Sequence, residues 1–292
     1  MRRVVLAGVL LALAGCTSSV AGQPSSPATA SVPRPASSGA ASSTPSTRPV
    51  TSAPGSPSSA PSTAAGSAAQ RVLDGLSLRQ RVGQLLMVDC PTSGLTDATR
   101  TAITRDGVGA VILDGTTYAG AGEMAALTRQ LQSLAPKGRR LFVATDQEGG
   151  LVQRLQGPGF TRIPPATQQG TLAPSALQAQ ARSWGAELRH AGVNVDLAPV
   201  LDTVPAGFGA NPPIGDLDRE YGRTPAAVTS HGMAVARGLL AAGVDPAVKH
   251  FPGLGRVHGN TDLTAGVTDD VTTAGDPYLA PFRAAVRAQV PF

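Results

Sequence analysis

Between Arg71 and the last residue, short apolar runs alternate with segments of helical periodicity, and this alternation leaves few architectures open. The runs Gln84–Asp89, Gly109–Asp114, Leu141–Asp146, Val195–Val200 and Val244–Phe251 read as strands. Val290-Pro291-Phe292 reads as the first residues of a sixth. Helices are predicted between them: a start at Ser77-Leu78-Arg79-Gln80, then Thr96–Arg105, Gly122–Leu134, Ala176–His190, Pro225–Ala242 and Pro277–Gln289. Thr224-Pro225 is a strong start signal, a capping hydroxyl followed by proline at the first helical position.

Strands and helices alternating over more than two hundred residues imply a parallel α/β fold, either a doubly wound sheet or a (β/α)8 barrel of the TIM type. Polar residues gather at the carboxyl ends of the runs: Asp89, Asp114, Asp146, Asp202, Lys249 and His250. Both architectures bind ligands at that end. Long loops after the third, fourth and fifth strands favour the barrel, with a deep pocket built by loops. About five strands are complete, so an open edge and uncovered apolar helix faces are expected beside the fifth.

Ahead of this region the composition changes. Arg2 and Arg3 precede an apolar run from Val4 to Leu13, too short to cross a bilayer, and then Ala14-Gly15-Cys16. Residues 1–15 read as a secretory signal peptide. Leu13-Ala14-Gly15-Cys16 resembles the bacterial lipobox, in which the cysteine, here Cys16, is acylated and anchors the mature chain to a membrane on its extracytoplasmic face. Residues 16–69 are nearly all Ser, Pro, Ala, Thr and Gly, a disordered and extended tether that leaves 70–292 as the globular domain. Cys90, with no intramolecular partner, is expected buried and reduced.

The charge of the whole chain misleads. Arg2, Arg3, Arg34 and Arg48 are four of its 24 basic residues, and none of the 19 acidic ones precedes Val72, leaving 20 against 19 in the domain. That balance, with no basic patch interleaved with aromatics, argues against a nucleic-acid partner.

Chemistry concentrates in Asp245–Asp262, D-P-A-V-K-H-F-P-G-L-G-R-V-H-G-N-T-D. An apolar run ends at Lys249 and His250 and breaks at Pro252, Gly253 and Gly255, as a strand does where it meets a working surface. Adjacent strand residues point to opposite sides unless the strand twists or bulges there. Alone, the pair reads equally as a surface lysine beside a core histidine. Asp146-Gln147-Glu148-Gly149-Gly150, with Arg154 eight residues after Asp146, offers a carboxylate, two glycines permitting close approach and a guanidinium fork that together suit a polyol. Asn211-Pro212-Pro213-Ile214-Gly215 and Asp218-Arg219-Glu220-Tyr221-Gly222 add a second arginine. Each charge taken singly fits a loop salt bridge as well as a ligand.

In order, D-Q-E-G-G-x-V-x-R, D-L-A-P-V-L-D, N-P-x-I-G with D-R-E-Y-G, and K-H-F-P-G-x-G form a series that resembles the N-terminal barrel of family 3 glycoside hydrolases, in their β-N-acetylglucosaminidase branch, over Leu76 to Phe292. The resemblance implies a retaining hydrolase without metal or organic cofactor, acting on N-acetylglucosamine-containing glycans such as muropeptides; the chain is expected to be a monomer. It places Asp146, Arg154, Arg219, Lys249 and His250 around the sugar. A carboxylate nucleophile would form a glycosyl-enzyme, and an acid/base in the loop after K-H-F-P-G-x-G would first protonate the leaving oxygen and then activate water.

Two departures bear on that implication. Where the family has an Asp-Ser-His triplet this chain has Asn260-Thr261-Asp262, so the acid/base is Asp262, by position and with its pKa raised by burial on loop closure, or His258 four residues earlier, oriented by Asp262. Leu254 also stands where the family often has histidine. The family's nucleophile follows a seventh strand, so this polypeptide, ending as the sixth begins, is expected to lack it, to be unstable and to represent a fragment or truncated frame. A lipid-anchored protein that binds cell-wall sugar without cutting it is the main rival. Nucleotide binding at Gly253-x-Gly255 would want a third glycine where His258 stands. A serine hydrolase would need a G-x-S-x-G elbow, which does not occur.

Overall fold

The computed structural model describes residues 63–292. The signal peptide, Cys16 and most of the tether lie outside the described residues. The first helix, α1 (Thr63–Asp74), begins inside the stretch assigned to the tether and carries Val72 and Leu73 exposed. Helix α2 (Leu78–Gly83) opens on a complete capping box, Ser77 with Gln80. Its last turn continues through Gln84, and the Leu85 and Leu86 amides bond back to Val82 and Gly83. Strand β1 (Met87–Pro91) therefore starts three residues later than the apolar run suggests.

The remaining elements follow the predicted alternation. They are α3 (Asp97–Thr101) running into a π turn (Ala102–Asp106), β2 (Ala110–Asp114), α4 (Ala121–Leu134) and β3 (Phe142–Thr145). A small antiparallel pair, β4 (Gln147–Gly149) and β5 (Val152–Gln153), comes next, then α5 (Ala166–Gln169), α6 (Pro174–His190) and β6 (Val195–Asp196). The chain continues through α7 (Pro225–Ala242), β7 (Asp245–Pro246) and α8 (Ala280–Arg287). Thr224 caps α7 through the Ala227 amide, and Gly243 ends it at φ 77°, a left-handed position that costs glycine nothing.

The sheet settles the choice between architectures. Its order is β1-β2-β3-β6-β7, all parallel, with neighbours in the order in which the chain makes them. A doubly wound sheet reverses that order at a switch point; a barrel does not. The domain is a five-strand arc of a TIM-type barrel. Val248 donates its amide to the Phe292 carbonyl at 3.0 Å, so the last residues run beside the β7 segment as the next strand would, though without a ladder of their own.

The main core lies between sheet and helices. Val111, Leu113 and Val143 from the strands meet Leu131, Leu177 and Leu188 from α4 and α6, with Cys90 fully buried among them. Burying each such aliphatic side chain contributes about 1.5–3 kcal/mol. Burial, assisted by the Asp89 charge, pushes the Cys90 thiol up to about 11 against a hydrogen bond from Thr99, which leaves it inert. Beside β7 an apolar groove of about 630 Å3 opens between Val248, Phe251, Leu279, Phe282, Val286 and Phe292, the uncovered edge expected of five strands. Leu85, Leu86 and Met87 are exposed at the opposite edge.

Candidate active site

At the carboxyl ends of β3, β4, β6 and β7 the charged residues form one connected cluster. Regular pairing of β7 stops at Pro246, so strand alternation no longer governs Lys249 and His250. The peptide between them is cis, and both side chains reach the same cluster. The segment stays attached to its neighbour: Lys249 donates to the Pro199 carbonyl at 3.2 Å, and Leu201 to the Lys249 carbonyl at 2.6 Å.

Lys249 Nζ lies 2.5 Å from Asp146 and 2.6 Å from Glu148. Arg219 grips Glu148 with its fork, Nε to Oε2 at 2.8 Å and Nη2 to Oε1 at 2.7 Å, and its Nη1 donates to the Pro213 carbonyl at 2.7 Å. The same Nη2 faces His250 Nε2 at 3.2 Å. On the other side of the ring His250 Nδ1 meets Asp202 Oδ2 at 2.5 Å. Asp202 accepts, so this network assigns the proton to Nδ1 and leaves Nε2 as the acceptor toward Arg219. Asp202 Oδ1 also accepts the His250 and Leu254 amides, at 3.3 and 2.8 Å.

Exposure sorts these residues. The side chains of Asp146 (20%), Lys249 (17%), Arg219 (11%) and His250 (27%) keep surface toward solvent, whereas Glu148 (5%) and Asp202 (0%) do not. Four residues keep surface for a ligand; of these, Lys249 and Arg219 are held by Glu148, and His250 by Asp202.

The electrostatics follow. Burial would raise the Glu148 carboxyl, but the hydrogen bonds and charges of Arg219 and Lys249 outweigh it and hold it below its ordinary range. Burial would lower Lys249 and Arg219, yet Glu148 and Asp146 raise Lys249, and Glu148 with Asp202 and Asp146 raises Arg219. Beneath them Asp196, on β6, accepts the Gln147 amide at 3.1 Å. Its burial pushes it up to about 7, with help from Asp146 and Glu148 and against Gln147 and Lys249.

Of the five residues the sequence placed around a sugar, Asp146, Arg219, Lys249 and His250 come together. Arg154 joins through its backbone, whose amide donates to the Asp146 carbonyl at 3.1 Å; its Nε is buried without a partner. The two acid/base candidates do not join. His258 is exposed and stacks on Phe208, centroids 4.5 Å apart with planes 8° from parallel. Asp262 is exposed, its amide turned onto Asn260 Oδ1 at 2.9 Å, and no hydrogen bond links it to His258 among the described residues. The loop carrying both is clasped at its neck, where Arg256 bonds Asp276 at 2.6 Å and Thr272 at 2.8 Å and lies over the Tyr278 ring at 4.1 Å.

Sequence reasoning passed over Glu148 and Asp202 as site residues, although both stood inside quoted motifs. The signal available was position: Glu148 lies two residues after the strand-end Asp146, and Asp202 already stood among the polar residues at the carboxyl ends of the strands. It also misjudged the glycines. Gly149, at φ 107°, and Gly150, at φ 57°, do not open space for a ligand. A Cβ on Gly149 would lie 2.4 Å from the Pro164 carbonyl oxygen, and one on Gly150 2.9 Å from the Pro165 side chain. Likewise a Cβ on Gly255 would lie 2.1 Å from the Thr203 carbonyl oxygen, so this glycine serves loop packing rather than a phosphate cradle. Asn211 is structural too: fully buried, it donates to the carbonyls of Leu254 and Val257, both at 2.9 Å, and accepts the Gly215 amide.

Among the described residues no group of three or more His, Cys, Asp or Glu is placed to hold a metal ion, and no helix is long and apolar enough to cross a membrane. A parallel barrel carries its active site at the carboxyl ends of its strands, where this cluster lies. Comparison with known proteins makes this specific. The profile of the glycosyl hydrolase family 3 N-terminal domain matches residues 77–291, and the chain belongs to that family. It is 37% identical over 213 residues to a β-hexosaminidase of Thiobacillus denitrificans, covering 70% of this chain and 56% of that one. A β-N-acetylhexosaminidase structure from Beutenbergia cavernae superposes with a TM-score of 0.72 at 50% identity, over 74% of this chain and 65% of that one. The structure of NagZ from Neisseria gonorrhoeae in complex with N-trifluoroacetyl-D-glucosamine matches with a TM-score of 0.61 at 29% identity, over 70% and 61%. The chain spans about half the length of the curated relatives it matches.

Proposed function

We propose that this chain forms the sugar-binding part of a retaining β-N-acetylhexosaminidase that removes terminal β-linked N-acetylglucosamine from muropeptide-type glycans. The observation that carries the reading is the cluster of Asp146, Lys249, Arg219 and His250, partly exposed, with Lys249 and Arg219 held by Glu148, His250 by Asp202 and Asp146 by Lys249. Carboxylate oxygens accept from sugar hydroxyls, and ammonium and guanidinium groups donate to them. The β-hexosaminidase relatives and the N-acylglucosamine held by the Neisseria protein support the same sugar.

Each carboxylate of the cluster is engaged: Asp146 by Lys249, Glu148 by Arg219 and Lys249, Asp202 by His250, Asp196 by a backbone amide. The family resemblance puts the nucleophile of the retaining mechanism on a carboxylate outside this cluster. The acid/base is Asp262 or His258, carried toward the sugar by movement of the loop that Arg256 and Asp276 clasp. Acylation of Cys16 fixes the protein to the outer face of the cytoplasmic membrane, as a monomer on its tether.

The test is titration of N-acetylglucosamine into the protein, followed by NMR or calorimetry, with glucose as control. Absence of binding, or equal binding of glucose, overturns the reading. Release of chromophore from 4-nitrophenyl N-acetyl-β-D-glucosaminide tests hydrolysis, and retention of a Cys16→Ala protein on membranes would refute the anchor. Non-catalytic sugar binding is favoured by one observation, that neither Asp262 nor His258 contacts the cluster. Binding without turnover would select it.

A further inference from the structure

Glu148 is nearly buried, yet it is the one group bonded to both cations of the cluster. Its Oε1 accepts from Arg219 at 2.7 Å and lies 2.6 Å from Lys249, while Oε2 takes the second arm of the Arg219 fork. The residue is also fixed from below. It sits on β4, whose backbone is trapped between the Gly149 packing against Pro164 and a bond from the buried Gln169 side chain to the Glu148 carbonyl at 2.9 Å. Two long, flexible cationic side chains from different loops thus share one rigid carboxylate.

We propose that Glu148 is a positioning residue of the sugar site, which sets the spacing of Lys249 and Arg219 and thereby the pattern of hydroxyls the site accepts. The inference rests on the functional reading above for what the cations bind, but not for the coupling itself. Glu148 acts through the two cations and never meets the sugar. It also keeps Lys249 an ammonium in a buried setting, where desolvation alone would favour the neutral amine. The charged and titratable groups around Lys249 are Asp146 at the end of β3, Glu148 on β4, Asp196 on β6, Arg219 in the following loop, and His250 with Asp202 beside it. Asp146 alone would remain as its direct counter-charge.

The chain offers a clean probe, because its only lysines are Lys137 and Lys249. In protein labelled with 13C at lysine Cε, the two signals titrate separately. In Glu148→Gln we expect the Lys249 midpoint to fall by about one pH unit or more while the Lys137 signal and the amide spectrum stay in place. N-acetylglucosamine affinity should drop about tenfold or more. Glu148→Asp, which keeps the charge but retracts it by one methylene, should leave Lys249 close to its wild-type midpoint and still weaken sugar binding. An unmoved Lys249 midpoint in a folded Glu148→Gln protein overturns the proposal. If that variant does not fold, wild-type sugar affinity in Glu148→Asp overturns it instead. Should wild type bind no sugar while the Lys249 midpoint shifts as expected, the coupling stands and the functional reading fails.

Discussion

Asp202 holds His250 at two points, the backbone amide at 3.3 Å and the ring Nδ1 at 2.5 Å. A fully buried carboxylate thus fixes where the imidazole sits and which nitrogen faces Arg219. The same Oδ1 accepts the Leu254 amide at 2.8 Å, so the start of the glycine loop hangs on this residue as well.

Asp202→Asn should therefore change more than a charge. An amide presents one acceptor oxygen, so one of the three bonds is lost or the imidazole must carry its proton on Nε2 and offer Nδ1 as the acceptor to the amide NH2. The cost to stability is about 1–3 kcal/mol. Histidine 15N NMR should show the His250 tautomer moving from Nδ1–H toward Nε2–H. A tautomer that stays in place would show that Arg219, not Asp202, selects it.

Asp196 should give the domain a pH dependence opposite to that of an ordinary salt-bridged acid. Its folded pKa of about 7 lies well above that of a solvated aspartate, so between those values the native state holds a proton that the unfolded chain has lost. Its contribution is complete below about 4 and disappears as pH rises through 7, amounting at most to about 4 kcal/mol. Glu148, held low, acts in the other direction and only at acid pH, its contribution being lost as pH falls through its folded pKa. Urea unfolding from pH 5 to 8 should show falling stability that Asp196→Asn flattens. A wild-type curve that is flat or rising there would contradict this account.

Gly255→Ala places a methyl 2.1 Å from the Thr203 carbonyl oxygen, a rigid backbone neighbour. We expect a loss of about 1–3 kcal/mol, by thermal unfolding, with strain relieved by displacing the loop. Gly266→Ala in the same loop meets nothing within 4 Å but has φ 74°, and should cost less.

Arg256→Ala removes two hydrogen bonds and the stacking on Tyr278 that close the neck of the loop. Limited proteolysis should then cut within residues 257–275 faster than in wild type, with the barrel left intact. Unchanged cleavage would mean that Asn211 holds this loop by itself.

Much of the framework was legible because barrel strands and helices declare themselves by period. Helix α7 was predicted residue for residue, and the sheet strands came in the right number and order. Misplacement arose where hydrogen bonding overrode hydropathy, as at Leu85 and Leu86, which look like strand but close a helix. In the site, residues that face a ligand were legible as charges at strand ends. Asp202 was legible in the same way, but not its part in holding His250, and Glu148 was not singled out at all, because a buried carboxylate that organises its neighbours has no pattern of its own until the partners are seen. The loop bearing His258 and Asp262 illustrates the converse: position along the chain does not tell how far a loop stands from the cluster.

Asn211 carries a practical consequence. Its side chain ties the turn after β6 to the carbonyls of Leu254 and Val257 beyond β7. Anyone grafting either loop from a homologue to change specificity should transplant both as a matched pair, since a chimera that mixes parents would break the fastening between them.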